Sequence, residues 1–246
     1  MKKLILSLII AQAFAGFGKD EQNEFGGDIE LWPKDHGVFF FVDAQSKIAD
    51  KTIATPVKIL ANDFNIDIRK IAGDGAQPFD IRKAPAALKG LGAKGGIWIV
   101  DDPALPISLI AMEDGWGLIN VAPVLSDSPN EAKIANRITK LINRTFASLH
   151  GVGDPVMMPA CVMKPAVGLT GIDNLLCATF SPETNSKVAC YLNLAGYRQC
   201  LRGTYYDACE NGWAPAPTNA VQQAIWDKVH QLPTKPIKIL PPSKKK

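Results

Sequence analysis

The chain has 246 residues, 47% hydrophobic and 21% charged, with 20 Gly, 18 Pro and 5 Cys. That is too apolar for a disordered tail, and it lacks the repeats of a collagen or a coiled coil. A net charge of +3 and a pI near 8.5 are too mild for a nucleic-acid partner, and no Arg-rich or aromatic-interleaved patch supports one.

Residues 1–15 read as a signal peptide. Lys2 and Lys3 make the basic start, Leu4 to Phe14 is an apolar run broken only by Ser7 and Gln12, and Ala13 and Ala15 are the small residues a signal peptidase reads. The run is about half of the ~20 residues a membrane span needs. No cysteine stands at the cleavage point to carry a lipid. Loss of Lys2 and Lys3 takes the formal charge from +3 to +1 before the new terminus is counted. Residues 16–36 then read as a flexible polar leader. No later stretch is long and apolar enough for a membrane span, so the mature chain is expected in the periplasm or outside the cell.

Residues 37–42, GVFFFV, form a short apolar run that predicts a buried strand. Asp43 can cap a helix from Ala44 onward with Ile48 and Ile53 on its apolar side, and Pro56 is expected to kink or split it before Val57. Phe64 to Ile68 alternates and predicts a second strand. Residues 73–96, rich in Gly, Pro, Ala and Lys, read as a loop. Ile97–Val100 is a third strand, ended by Asp101-Asp102-Pro103, and residues 107–112 and 117–121 read as two more around a turn at Glu113-Asp114-Gly115.

Ser128-Pro129-Asn130-Glu131 is a capping box with proline at the first helical position. Ile134, Ile138, Leu141, Ile142, Thr145 and Leu149 then give one apolar helical face, with Lys133, Arg137, Lys140 and Arg144 mainly on the other side. Gly151 suits a left-handed stop. The fold class is therefore α/β (α+β): a mixed twisted sheet with two main helices over residues 37–150. Residues 151–232 form a Cys- and Pro-rich region with short helices expected near 171–178 and 186–194 and a clearer one over 218–230. Residues 233–246 are an extended basic tail.

Cys161, Cys177, Cys190, Cys200 and Cys209 all lie in that second region. In an exported chain such a cluster is first a disulfide framework, here of at most two bridges with one thiol left over. Bridges closing loops of that size contribute ~2–4 kcal/mol each. The alternative is metal binding or thiol catalysis. However, there is no CxxC, the gaps of 15, 12, 9 and 8 residues are unlike a zinc ribbon, and only His36, His150 and His230 exist to serve as a base.

The element order, with Cys161-Val162-Met163 shortly after the long helix, resembles the metzincin zinc peptidases and most nearly their archaemetzincin-like branch. Across residues 37–165 the resemblance implies a zincin-like scaffold. In that family the long helix carries HExxHxxGxxH: two histidines one turn apart hold zinc, the glutamate activates the metal-bound water, and the glycine turns the chain toward a third ligand. Setting Gly151 on the family glycine puts Arg144 and Ser148 at the first two histidine positions, Thr145 at the general base and Asp154 at the third ligand. The resemblance thus implies the scaffold without its metal, a pseudoenzyme with no cofactor.

The weak catalytic candidates are His150, at a helix C-terminus where it can also interact with the helix dipole as a cation, and Asp154. Asp101-Asp102 at a strand end reads as a turn or a polar site. Tyr205, Tyr206 and Trp213 beside Cys209 suit contacts with a protein, peptide or glycan partner, or packing over bridges. No GxSxG elbow is present. The expected function is an exported, non-catalytic binding or envelope-associated module; the alternative is an active secreted hydrolase with a non-standard site.

Overall fold

A computed structural model describes residues 24–44, 46–73, 80–153 and 158–231. The expected signal peptide, residues 16–23 of the leader, Asp154 and the basic tail lie outside these residues; the rest of the expected flexible leader is described, and its residues Asp28–Leu31 form a strand paired with Leu201–Thr204. In chain order the elements are β1 (Asp28–Leu31), β2 (Val38–Ala44), α1 (Asp50–Phe64), β3 (Asp67–Ala72), a 3-10 turn (Ile81–Lys83), α2 (Ala84–Gly90), β4 (Gly95–Val100), β5 (Ser108–Ala111) and β6 (Trp116–Asn120). There follow α3 (Ala122–Leu125), α4 (Glu131–Leu149), α5 (Gly168–Asp173), α6 (Pro182–Leu194), β7 (Leu201–Thr204), α7 (Tyr205–Glu210) and α8 (Ala220–Gln231). None of the described helices is long and apolar enough to cross a membrane. The chain divides into two compact units, Trp32–Cys200 and the segments on either side of it.

The larger unit is the expected mixed α/β domain. Its sheet has the order β3-β2-β4-β6-β5. Four strands run parallel, and β5 runs antiparallel to β6 at one edge. β4 and β6 are buried at every residue, as suits short apolar runs covered on both faces. Alternate residues serve the two sides. Phe39, Phe41, Ile97, Ile99 and Ile119 meet Ile53 and Leu60 of α1 and Ile138, Ile142 and Phe146 of α4. Phe40, Val42, Trp98, Val100, Trp116 and Leu118 meet Ala84 and Leu88 of α2.

Several local expectations are corrected. β2 continues to Ala44 and α1 begins only at Asp50, because Asp43 Oδ1 accepts from Ser46 N at 3.0 Å and caps the turn between them. Pro56 does not split α1. It is buried with Ile53, Val57 and Leu60, and that packing offsets the single amide bond a proline removes. Phe64 ends the helix rather than starting a strand, since Asn65 takes a left-handed conformation (φ 52°). In α4 the cap is Asn130, whose side chain accepts from Lys133 N at 2.9 Å, while Ser128 sits at φ 49° in the preceding turn. Gly151 at φ +80° ends the helix as expected.

The staple expectation is overturned: none of Cys161, Cys177, Cys190, Cys200 and Cys209 is joined in a disulfide. The reason is that residues 151–200 have a core after all. Cys161, Val162, Met163, Ile172, Leu175, Val188, Leu192 and Tyr197 belong to the main apolar cluster, so burial stabilises this segment. The larger compact unit accordingly extends to Cys200.

In the smaller unit β1 pairs antiparallel with β7. Thr204 and Asp207 form a reciprocal capping box on α7. Tyr205, Cys209 and Ile225 make its own small core, with Ile29, Val221 and Trp226 against it.

Candidate functional site

β5 is an edge strand of the larger unit, and an edge presents unpaired backbone N–H and C=O groups. Asn120, fully buried at the end of β6, fixes the lead-in to that edge. Its Nδ2 donates to Asp102 O (2.7 Å) and Leu105 O (2.6 Å), and its Oδ1 accepts from Asp102 N (3.2 Å) and Ala122 N (3.1 Å). Asp102 itself caps a turn through Ala104 N at 2.9 Å, and Asp101 pairs with Lys47 at 2.8 Å. This pair of acids therefore serves as the turn.

Between β5 and α4 lies a cavity of about 200 Å³, lined by Ser108 and Ile110 from the strand, Arg144, Thr145 and Ser148 from the helix, and Ala166 beyond it. Residues 144, 145 and 148 share a helical face at spacings of one, three and four. Ile110, on the strand side of the cavity, is 40% exposed.

Arg144 does not reach into open solvent. Its Nη1 donates to Val162 O at 2.6 Å and to Lys164 O at 2.7 Å, which ties the helix to the Cys161-Val162-Met163 turn. That turn is itself anchored: Val162 N donates to Thr179 O at 2.9 Å, Val162 and Met163 are fully buried, and Cys161 Sγ accepts from Ser181 N and lies 3.4 Å from Thr184 Oγ1. Burial pushes the Cys161 thiol up, but bonds from Thr184, Ser181 and Met163 outweigh it and hold the thiol below its ordinary value.

The other basic residues of α4 are also placed differently from the expected outer face. Arg137 is 1% exposed, and all five of its donors are used. Nε donates to Asp173 (2.8 Å), Nη1 to Val124 O (2.9 Å) and Asp127 (2.7 Å), and Nη2 to Asp127 (2.9 Å) and Asp173 (2.6 Å). Lys140 donates to Ile172 O and Leu175 O, and Asn143 to Ala178 O. Donors at 137, 140, 143 and 144 stitch the returning chain onto the helix, because a segment with few helical bonds leaves carbonyls to satisfy.

The zinc site that the resemblance implies can be tested on these donors. Arg144 brings a permanent positive charge to the first ligand position and has no lone pair to offer. Ser148 at the second is not one of the usual zinc ligands. Asp154, the third, lies outside the described residues. Among the described residues no three His, Cys, Asp or Glu side chains converge. Arg144 and Ser148, at the two positions the resemblance sets on the helix, do not fit as zinc ligands.

His150 is not the protonated cap the sequence suggested. Nδ1 donates to Phe146 O at 2.8 Å, and the ring lies 4.6 Å from Phe146, 5.5 Å from Phe39 and 5.6 Å from Tyr197. Burial pushes it down to about 4, opposed only by the Phe146 carbonyl. It is therefore neutral at neutral pH. No nucleophile among the described residues hydrogen-bonds to it. The partner-contact candidates are in the smaller unit. There Tyr205 is fully buried and donates to Pro215 O at 2.8 Å, so it is a core residue, Tyr206 donates to Glu210 at 2.7 Å, and Trp213 lies beside Gly203.

No protein-family model matches the chain, and no curated protein does. Solved structures similar to it include a zinc-dependent peptidase from Methanocorpusculum labreanum (strain Z), at 13% identity and TM-score 0.47, covering 62% of this chain and all of the other. Another is archaemetzincin from Methanopyrus kandleri, at 15% identity and TM-score 0.49, covering 66% of this chain and 99% of the other.

Proposed function

We propose that this chain is an exported, non-catalytic module of peptidase-like build that holds an extended segment of a partner protein in the groove between β5 and α4. The observation that carries the reading is Arg144: a guanidinium hydrogen-bonded to Val162 O and Lys164 O stands where the peptidase chemistry needs a neutral imidazole. Binding in place of hydrolysis is supported by the edge strand, whose backbone can add one more strand. The exposed Ile110 beside the cavity supports it further, since pockets beside an edge select alternate side chains. Export rests on the pattern of residues 1–15.

The test is hydrogen exchange of the mature chain with and without a library of unstructured peptides. Bound peptides are expected to protect the amides of residues 108–111 and to emerge uncleaved. Cleavage at a rate proportional to protein, or protection confined to other strands, contradicts the reading.

A further inference from the structure

A second cavity of the larger unit, about 310 Å³, opens at the far end of α4 and takes no part in the groove. It is lined by Phe39, Lys94, Gly95, the β5–β6 turn from Met112 to Gly115, His150 and Tyr197. Its volume is at the small end of the 300–1,000 Å³ typical of ligand pockets.

The inner wall is aromatic and carries two polar groups that face the cavity, on His150 and Tyr197. Because His150 Nδ1 donates to Phe146 O, Nε2 is left as the acceptor of the neutral ring. Tyr197 is 4% exposed, and its hydroxyl makes no hydrogen bond to any described residue. Burial alone pushes that phenol above its ordinary value, and no charged side chain contributes to the position of His150. The charged groups Lys94, Glu113 and Asp114 are exposed at the mouth.

Glycines make the chamber possible. A Cβ on Gly95 would come 2.9 Å from Tyr197 Oη and 3.1 Å from Phe39 Cε2. Gly196, at φ +83°, leaves room for Lys94, whose Nζ would lie 2.5 Å from a Cβ there. The arrangement thus keeps an acceptor and a hydroxyl on neighbouring rings, 5.6 Å apart, in a recess whose charged groups stand at the mouth. No charged side chain acts on His150 or Tyr197, so at the inner wall an uncharged group with its own donor and acceptor satisfies both atoms better than an ion does.

We propose that this cavity is a binding site for the uncharged polar end of a small molecule, a hydroxyl or a primary carboxamide, held by donation to His150 Nε2 and acceptance from Tyr197 Oη. The site is independent of the groove and of the reading placed on it.

The test is titration of the full mature chain, followed by NMR of the His150 and Tyr197 ring signals, with glucose, acetamide, acetate and methylammonium as separate probes. Saturable shifts with glucose or acetamide are expected, and whichever acts distinguishes the hydroxyl from the carboxamide. Acetate and methylammonium should leave both rings unmoved. Tyr197→Phe should weaken the response about tenfold, the equivalent of one hydrogen bond to a buried acceptor. Met112→Trp, a change at an exposed position of the mouth, should block it without touching the core. No shift with either neutral probe, equal shifts with the charged ones, or an unchanged affinity in Tyr197→Phe would overturn the proposal.

Discussion

Arg137 donates from Nε and Nη2 to both carboxylate oxygens of Asp173, at 2.8 and 2.6 Å, across 36 residues of chain. The fork joins the middle of α4 to the end of α5, and Asp127 takes the other side of the same guanidinium. Bonds from Arg137 hold the Asp173 carboxyl below the usual range. Asp173→Asn keeps the shape but leaves a buried cation with one anionic partner. It should lower unfolding stability by about 1.5–3 kcal/mol, the value of a charged hydrogen bond, in a denaturant titration. A loss below about 0.5 kcal/mol would mean that the pair behaves as an exposed one.

His150 gives the acid side of the stability curve its shape. Its folded value is pushed down to about 4 by burial, whereas the unfolded chain titrates near 6.5. Between these values the unfolded state binds the extra proton, so stability is full above about pH 7 and falls as pH drops from about 6.5 toward 4. With the ring partly exposed, the loss is about 2–3 kcal/mol. His150→Gln should flatten that window, and an unchanged slope in the variant would assign it elsewhere.

The thiols offer a chemical check on the corrected region. Alkylation of unfolded, unreduced protein should add five groups, since no disulfide joins the cysteines. In the folded protein Cys190, the exposed one, should react first and Cys161 and Cys209 slowly. A mass showing three additions or fewer would restore the staples.

Arg144→Ala should release the Cys161–Lys164 turn from the helix. Two charge-assisted bonds are lost, so stability should fall by about 1–3 kcal/mol, with faster amide exchange at Val162 and Lys164. Exchange unchanged at those two amides would show that the turn is held by its own burial.

Periodicity made the scaffold legible. The VFFFV and IWIV runs, the alternating edge and the long apolar face of α4 needed only local rules, and they place the sheet and its main helix. What local rules miss is where polar side chains go when a distant segment needs donors. Arg137, Lys140 and Arg144 have the spacing of a solvated stripe. They are instead bonded to acids and carbonyls of residues 124–175 that sequence spacing does not bring near. The cysteines misled for the same reason, because the apolar residues around them pack against a helix from the preceding half of the chain. Asn120 gave no signal at all, since a single buried amide holding a loop has no pattern.

A non-catalytic role for this chain requires that α4 present no metal site. Its most direct test is the zinc content of the mature protein after equilibration with excess zinc and removal of loosely held ions. Under the proposed reading, which sets Arg144 and Ser148 on the ligand positions, the expected result is far less than one zinc per chain. One tightly bound zinc per chain, lost in Ser148→Ala, would contradict it.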